Sequence, residues 1–275
     1  MRITFLALLL SAACCVTTFA QENYVPTPEN LQAREEFQDG KFGIFLHWGL
    51  YSMPAQGEWY MQNTNINKDE YAKLASGFYP IKFNAAEWVA AIKAAGAKYI
   101  CFTSRHHEGF SMFGTKYSDY NIVNATPFKR DVLKELADEC HKQGIRLHVY
   151  YSHIDWYRDD YPMGRTGRGT GKDPKKADWK SYYQFMNNQL TEILTNYGKI
   201  GAIWFDGWWD QDQNPDFDWE LPQQYALIHK LQPGCLIGNN HHGVPFKGED
   251  IQIFERDLPG ENTVSYTHLT LPTIA

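Results

Sequence analysis

Short strand-like runs recur along the chain at helix-sized intervals, and each gives way to polar or aromatic residues. This pattern constrains the fold more than any other feature. The runs are Phe42–His47, Lys98–Thr103, Ile145–Tyr151, Ile200–Asp206, Leu236–Gly238 and Asp250–Phe254. Near-continuous apolar content over so few residues suits strands covered on both faces, as in a parallel sheet. Between the runs lie segments with helical spacing. Ala85–Ala95 puts Trp88, Ile92 and Ala95 on one face, behind an Asn84 cap with Glu87 in the capping-box position. Asp131–Gln143 spaces Val132, Leu133, Leu136 and Cys140 helically and stops at Gly144. Trp179–Tyr197 and Pro222–Leu231 complete the set, with shorter helices expected at Pro26–Glu36 and Asp69–Ser76. Strands alternating with helices imply parallel βαβ units. The expected fold is α/β, a (β/α)8 TIM-like barrel incomplete at its C-terminus. A doubly wound open sheet is the alternative, but no Gly-rich nucleotide fingerprint follows any strand.

In such a barrel the C-terminal strand ends converge on one pocket. Here they would bring together His47, His106, His107, the pair Tyr150-Tyr151, His153, Trp204 and Asp206. The richest of these ends is Ile-Trp-Phe-Asp-Gly-Trp-Trp-Asp, residues 203–210. A carboxylate at the last residue of a buried strand, crowded by indoles, suits a sugar, whose C–H faces pack on aromatic rings. A metal hydrolase is the competing reading. His106 and His107 are adjacent, so on a regular strand they would point to opposite faces. No HxH or HExxH spacing occurs, and no metal is expected.

The net charge of −6, with no basic stripe, argues against a nucleic-acid partner. Nine tryptophans and 15% aromatic residues favour a carbohydrate-facing cleft. Met1-Arg2, the apolar Phe5–Leu10 and the small-x-small Thr18-Phe19-Ala20 read as a signal peptide over residues 1–20, hence export to the periplasm or outside. A lipid anchor at Cys14 or Cys15 is the lesser reading, and no other stretch is long and apolar enough to span a membrane. Cys101, Cys140 and Cys235 are scattered in strands and a helix, so buried free thiols are expected rather than disulfides. Residues 264–275 read as a translated sequencing adapter, with the catalytic domain occupying 21–263.

Four ordered motifs carry a family resemblance. Phe45-Leu46-His47-Trp48-Gly49, Gly57-Glu58-Trp59-Tyr60, Ser104-Arg105-His106-His107-Glu108-Gly109-Phe110 and Trp204-Phe205-Asp206-Gly207 resemble the α-L-fucosidases of glycoside hydrolase family 29. The resemblance implies a retaining exo-fucosidase that removes terminal α-L-fucose from glycans without metal or organic cofactor. It makes Asp206 the nucleophile. It places His47, Glu58, Trp59, His106, His107, Trp204 and one tyrosine of the Tyr150-Tyr151 pair, with Tyr151 favoured, in the fucose pocket. Many members carry an arginine after the strand that follows the nucleophile, where this chain reads Asn239-Asn240-His241-His242. The general acid/base is open: Glu249, Glu255 and Glu261 are candidates, Glu58 is a further one though mainly a pocket residue, or the residue lies beyond Thr263, which is the preferred reading. A non-catalytic glycan-binding relative that kept the pocket and lost the acid is the alternative function.

Overall fold

The computed structural model describes residues 24–255. The expectations for residues 1–20, for Glu261 and for 264–275 lie outside them. In chain order the elements are α1 (Pro28–Gly40), β1 (Gly43–Leu46), the short helices α2 (Tyr60–Asn63) and α3 (Lys68–Ala72), α4 (Ala85–Ala94), β2 (Tyr99–Arg105), the short α5 (Ile122–Ala125), α6 (Val132–Gln143), β3 (Arg146–Ser152), α7 (Trp179–Asn196), β4 (Ala202–Asp206), α8 (Leu221–Leu231), β5 (Leu236–Asn239) and β6 (Ile251–Gln252). All six strands lie in one sheet in the order β1-β2-β3-β4-β5-β6. Every neighbouring pair is parallel. Sequential parallel order with helices between strands is the arrangement of a (β/α)8 barrel, of which the described residues supply six strands.

Local chemistry fixes the helix ends. Asn84, Asp131 and Asp178 each accept a bond from the backbone three residues on, which caps α4, α6 and α7. Each such cap contributes about 1 kcal/mol. Gly144 closes α6 in the left-handed region at φ 72°, where it costs no side-chain clash. The stretch Asp69–Ser76, expected as one helix, falls across α3 (Lys68–Ala72) and a 3-10 segment at Lys73–Gly77.

Along β3 and β4 the side chains alternate between the two faces of the sheet, and this alternation builds the site. Leu147, Val149 and Tyr151 of β3 join Ile203 and Phe205 of β4 in the main core beneath the helices. The opposite face forms two interior layers. Phe37 of α1 plugs the lower one, with Ala202, Leu236 and Ile251. Above it, Cys101, Tyr150, Trp204 and Ile253 pack against Phe45. One more step of two residues, up β1, β4 and the chain beyond β6, reaches His47, Asp206 and Glu255. Cys101, Cys140 and Cys235 are buried free thiols, as expected. Among the described residues no helix is long and apolar enough to cross a membrane.

Candidate active site

Asp206 ends β4 and is 7% exposed. Its Oδ1 accepts from the Gly207 N–H at 2.8 Å, Asn240 Nδ2 at 3.2 Å and Trp209 Nε1 at 3.3 Å. Its Oδ2 accepts from the Tyr150 hydroxyl at 2.8 Å and faces His107 Nε2 at 3.6 Å. Burial raises the Asp206 pKa above the usual carboxylate range, and the Tyr150 bond is the largest opposing influence. Donors aimed at a buried carboxylate favour its ionised form. Gly207 is required for this geometry. It sits at φ 102°, and a Cβ there would come within 2.5 Å of Ile154. The turn it makes starts the 3-10 segment Trp208–Gln211, which returns the Trp209 indole to the carboxylate.

A second carboxyl group approaches through the same amide. Asn240 Nδ2 donates to Glu255 Oε2 at 2.8 Å as well as to Asp206 at 3.2 Å. The two carboxylates therefore lie no further apart than the sum of those bonds. That limit includes the ~5–5.5 Å spacing of retaining glycosidases. Glu249, the neighbouring candidate, is committed elsewhere. Tyr225, His241 and the Phe246 N–H all bond to it, so it fastens the loop 240–249 to α8.

Three imidazoles form the opposite wall. His106 and His107 have ring centroids 4.1 Å apart, and His47 lies 4.9 Å from His106. Burial, with His106 adding to it, holds His47 down to about 3. Burial likewise holds His106 down to about 4, and puts His107 well below its ordinary value. All three are neutral near pH 7, so each ring has one donor and one acceptor nitrogen; His107 Nδ1 is taken by Ser152 at 2.6 Å. Glu58 is close enough to oppose the shifts of His47 and His106. Trp59 stacks on Trp209 at 5.6 Å and meets His107 and Trp156 edge-on. Trp204 lies against Tyr150 at 5.2 Å on the pocket floor.

Two sequence expectations are corrected. Tyr151 does not enter the pocket. Its hydroxyl donates to Gln189 of α7 at 2.7 Å, on the helical side of the sheet. Tyr150 is the tyrosine that reaches Asp206, because in the β3–β4 register it pairs with Trp204, which shares its face with Asp206. The register offered this signal, since parity with Asp206 selects Trp204 and then Tyr150. The second correction concerns the adjacent histidines. The β2–β3 register shifts between Thr103 and Arg105, and β2 ends at Arg105, so strand alternation no longer governs His106 and His107. Their donor atoms and an Asp206 oxygen all lie within 4.8 Å of one another. Both Asp206 oxygens already accept protein donors, and His107 Nδ1 is engaged by Ser152 at 2.6 Å, so His107 turns Nε2 toward Asp206.

Sequence reasoning also missed what supports the wall. Arg105, fully buried, pairs with Asp155 and donates to Ser152 O and the Tyr182 hydroxyl, which ties the turn after β2 to the end of β3. Asp210 plays the same part for the Gly-rich loop 159–176. It accepts from the Tyr161 hydroxyl and from both the N–H and the hydroxyl of Thr166.

Comparison with known proteins follows this geometry. The family model described as Alpha-L-fucosidase matches residues 11–274. The chain belongs to the α-L-fucosidase family. It is 33% identical over 244 residues to the plasma α-L-fucosidase of Homo sapiens, covering 79% of this chain and 49% of that protein. A putative α-L-fucosidase of Caenorhabditis elegans is also 33% identical, covering 77% of this chain and 45% of that protein. The chain thus spans about half the length of these curated relatives. Among solved structures, the α-L-fucosidase AlfC from Lactobacillus casei, in complex with α-L-fucose product, matches with TM-score 0.73 and 28% identity over 86% of this chain and 78% of that one. Isoenzyme 1 from Paenibacillus thiaminolyticus matches with TM-score 0.72 and 32% identity, over 86% and 58%. Both fucosidases share the barrel on which the site stands.

Proposed function

We propose that the protein is an exported exo-α-L-fucosidase that hydrolyses terminal α-L-fucose with retention, through a covalent fucosyl-enzyme on Asp206. The observation that carries this reading is the pair of carboxylates bridged by one amide, Asp206–Asn240–Glu255, at the mouth of a family barrel. The Asp206 carboxylate attacks the anomeric carbon. The glycosidic C–O bond breaks as the leaving oxygen takes a proton from Glu255, and an ester forms at Asp206. Glu255 then accepts a proton from water, which attacks the same carbon and releases Asp206. Two inversions give net retention. The neutral histidines His47, His106 and His107 bond the fucose hydroxyls, Glu58 accepts from one of them, and Trp59 and Trp204 supply apolar wall for the ring and its methyl group. No cofactor or metal enters the scheme, and the substrate is a fucosylated glycan. Export rests on the signal-like residues 1–20 alone.

The test uses the full-length protein. Asp206→Gly should abolish turnover of an aryl α-L-fucoside, and added azide should restore part of it while forming a fucosyl azide of inverted configuration. Wild-type turnover in that variant would end the assignment of the nucleophile. Fucose binding by the wild type without any turnover on long incubation would select a non-catalytic binder instead.

A further inference from the structure

Behind the imidazole wall, His106 and Glu108 face each other across the turn that follows β2. Nδ1 of His106 lies 3.4 Å from Oε2 of Glu108, and both side chains are buried. Neither atom has a hydrogen-bond partner. Two orphaned polar atoms at this depth are destabilising unless they serve one another. The turn is locked by the Gly109 N–H, which donates to His106 O at 3.0 Å. Gly109 has φ 80°, and a Cβ there would come within 2.6 Å of Asp155. On the other side Gly49 leaves room for the carboxyl group, since a Cβ there would come within 3.1 Å of Glu108 Oε1. Nδ1 faces inward to Glu108, which leaves Nε2 as the nitrogen His106 offers to the pocket.

We propose that Glu108 is a positioning residue that decides which nitrogen of His106 carries the proton, and hence whether His106 presents a donor or an acceptor to the sugar. With Glu108 as the carboxylic acid, its O–H donates to Nδ1, the ring proton sits on Nε2, and the pocket sees an N–H. With Glu108 ionised, Nδ1–H donates to Oε2, and the pocket sees a lone pair instead. No net proton is added to the ring in either state, so the swap needs only the loss of one proton from Glu108.

The surroundings favour the first state at neutral pH. Burial pushes Glu108 up to about 8; its own backbone N–H and Arg105 oppose this, while Asp155 and Glu58 add to it. The elements packed around Glu108 contribute Tyr51 from the 3-10 segment after β1, Tyr71 from α3 and Tyr120 from the loop before α5. All three phenols are themselves raised, chiefly by burial, and stay neutral. His106, held down to about 4, is uncharged throughout the range in which Glu108 titrates. The consequence is a donor at His106 Nε2 below about pH 8 and its withdrawal above.

The kinetic part of this inference rests on the fucosidase reading, whereas the tautomer itself does not. In the full-length protein, Glu108→Gln and Glu108→Leu are compared with wild type between pH 6 and 9.5. The readouts are kcat/KM on an aryl fucoside, the melting curve, and the 15N shifts of the His106 ring. The Gln amide N–H replaces the acid at every pH. That variant should stay within about threefold of wild type at pH 7 and lose the alkaline fall near pH 8. The Leu variant should lose tenfold or more at pH 7. In the wild type, the His106 proton should move from Nε2 to Nδ1 as pH passes 8. A Gln variant as impaired as the Leu variant, or one with an unchanged alkaline limb, would overturn the proposal. So would a wild-type tautomer that does not change. If the Leu variant fails to fold, the Gln comparison and the ring shifts still decide. If the ring shifts move as expected in a protein with no fucosidase turnover, the dyad stands and the functional reading fails.

Discussion

Removing one hydroxyl separates the two adjacent tyrosines of β3. Tyr150→Phe deletes the bond from Oη to Asp206 Oδ2, the closest side-chain donor the carboxylate has, at 2.8 Å. A hydrogen bond to a charged group contributes about 1.5–3 kcal/mol. At about 1.4 kcal/mol per pKa unit, losing it raises the Asp206 pKa by about one to two units. Only the ionised carboxylate attacks, so the acid limb of kcat/KM, which reports the free enzyme, should move up by that amount. On the plateau above the limb the fall should be smaller, about tenfold or less, because attack itself discharges the carboxylate. Tyr151→Phe is the control. It removes a bond of 2.7 Å to Gln189 on the far side of the sheet, and should cost about 1–3 kcal/mol of stability without moving the limb. The assay is the pH dependence of aryl-fucoside hydrolysis by the full-length protein, with thermal melts of each variant. An acid limb unmoved by Tyr150→Phe, or moved as far by Tyr151→Phe, would refute the register argument.

Two further outcomes follow from the site and its core. Glu255→Ala should cut kcat far more for a glycan substrate, which needs a proton on its leaving oxygen, than for a nitrophenyl fucoside, and azide should accelerate the second step; equal losses on both substrates would remove Glu255 as the acid/base. Burial holds His47 and His148 down to about 3 and His106 and His153 down to about 4, so the unfolded chain binds protons that the native chain does not between about pH 6.5 and those values. Stability therefore rises with pH across that window and is lost as pH falls through it. Urea unfolding of the full-length protein should show a midpoint that drops steadily from pH 6.5 to pH 4, and a flat midpoint would contradict neutral burial.

The barrel was legible because each strand is marked twice, by an apolar run and by the polar group at its end. The six runs fall on the six strands with ends displaced by only a few residues; Lys98–Thr103, for instance, becomes Tyr99–Arg105. Asp206, His47 and Trp204 were legible for the same reason. Tyr150 was not, since its assignment turns on a single step of strand parity that composition does not reveal. For His106 and His107, which the resemblance placed together, the alternation argument failed because a register shift ends the alternation just before them. Glu255 remained one of several acids in a stretch without periodicity. What distinguishes it is Asn240, which lies 15 residues away in sequence and meets it only in three dimensions. Glu108 reads as one letter of a motif, and its role depends on the two orphaned atoms that a sequence cannot display.

The plug formed by α1 has a temporal consequence. Phe37 fills the lower interior layer beside Ile251, and Arg34 pairs with Asp250 at 2.6 Å, so the first helix is fastened to the last described strand across 216 residues. A chain leaving the ribosome at about 5–20 residues per second makes α1 about 10–40 s before its partner exists. During that interval Phe37 lacks Ile251 in its layer and α1 lacks the Arg34–Asp250 pair. Glu36–Arg146 and the rings of Tyr99 and His148 are among its remaining ties to the sheet, and α1 is more exposed to proteases and chaperones. Nascent chains stalled before residue 250 should be cut within α1, and those stalled well beyond it should not. The contact joins the two ends of the described chain, so this part of the barrel floor cannot be completed until residues near 250 exist, after β1 to β5 have been made.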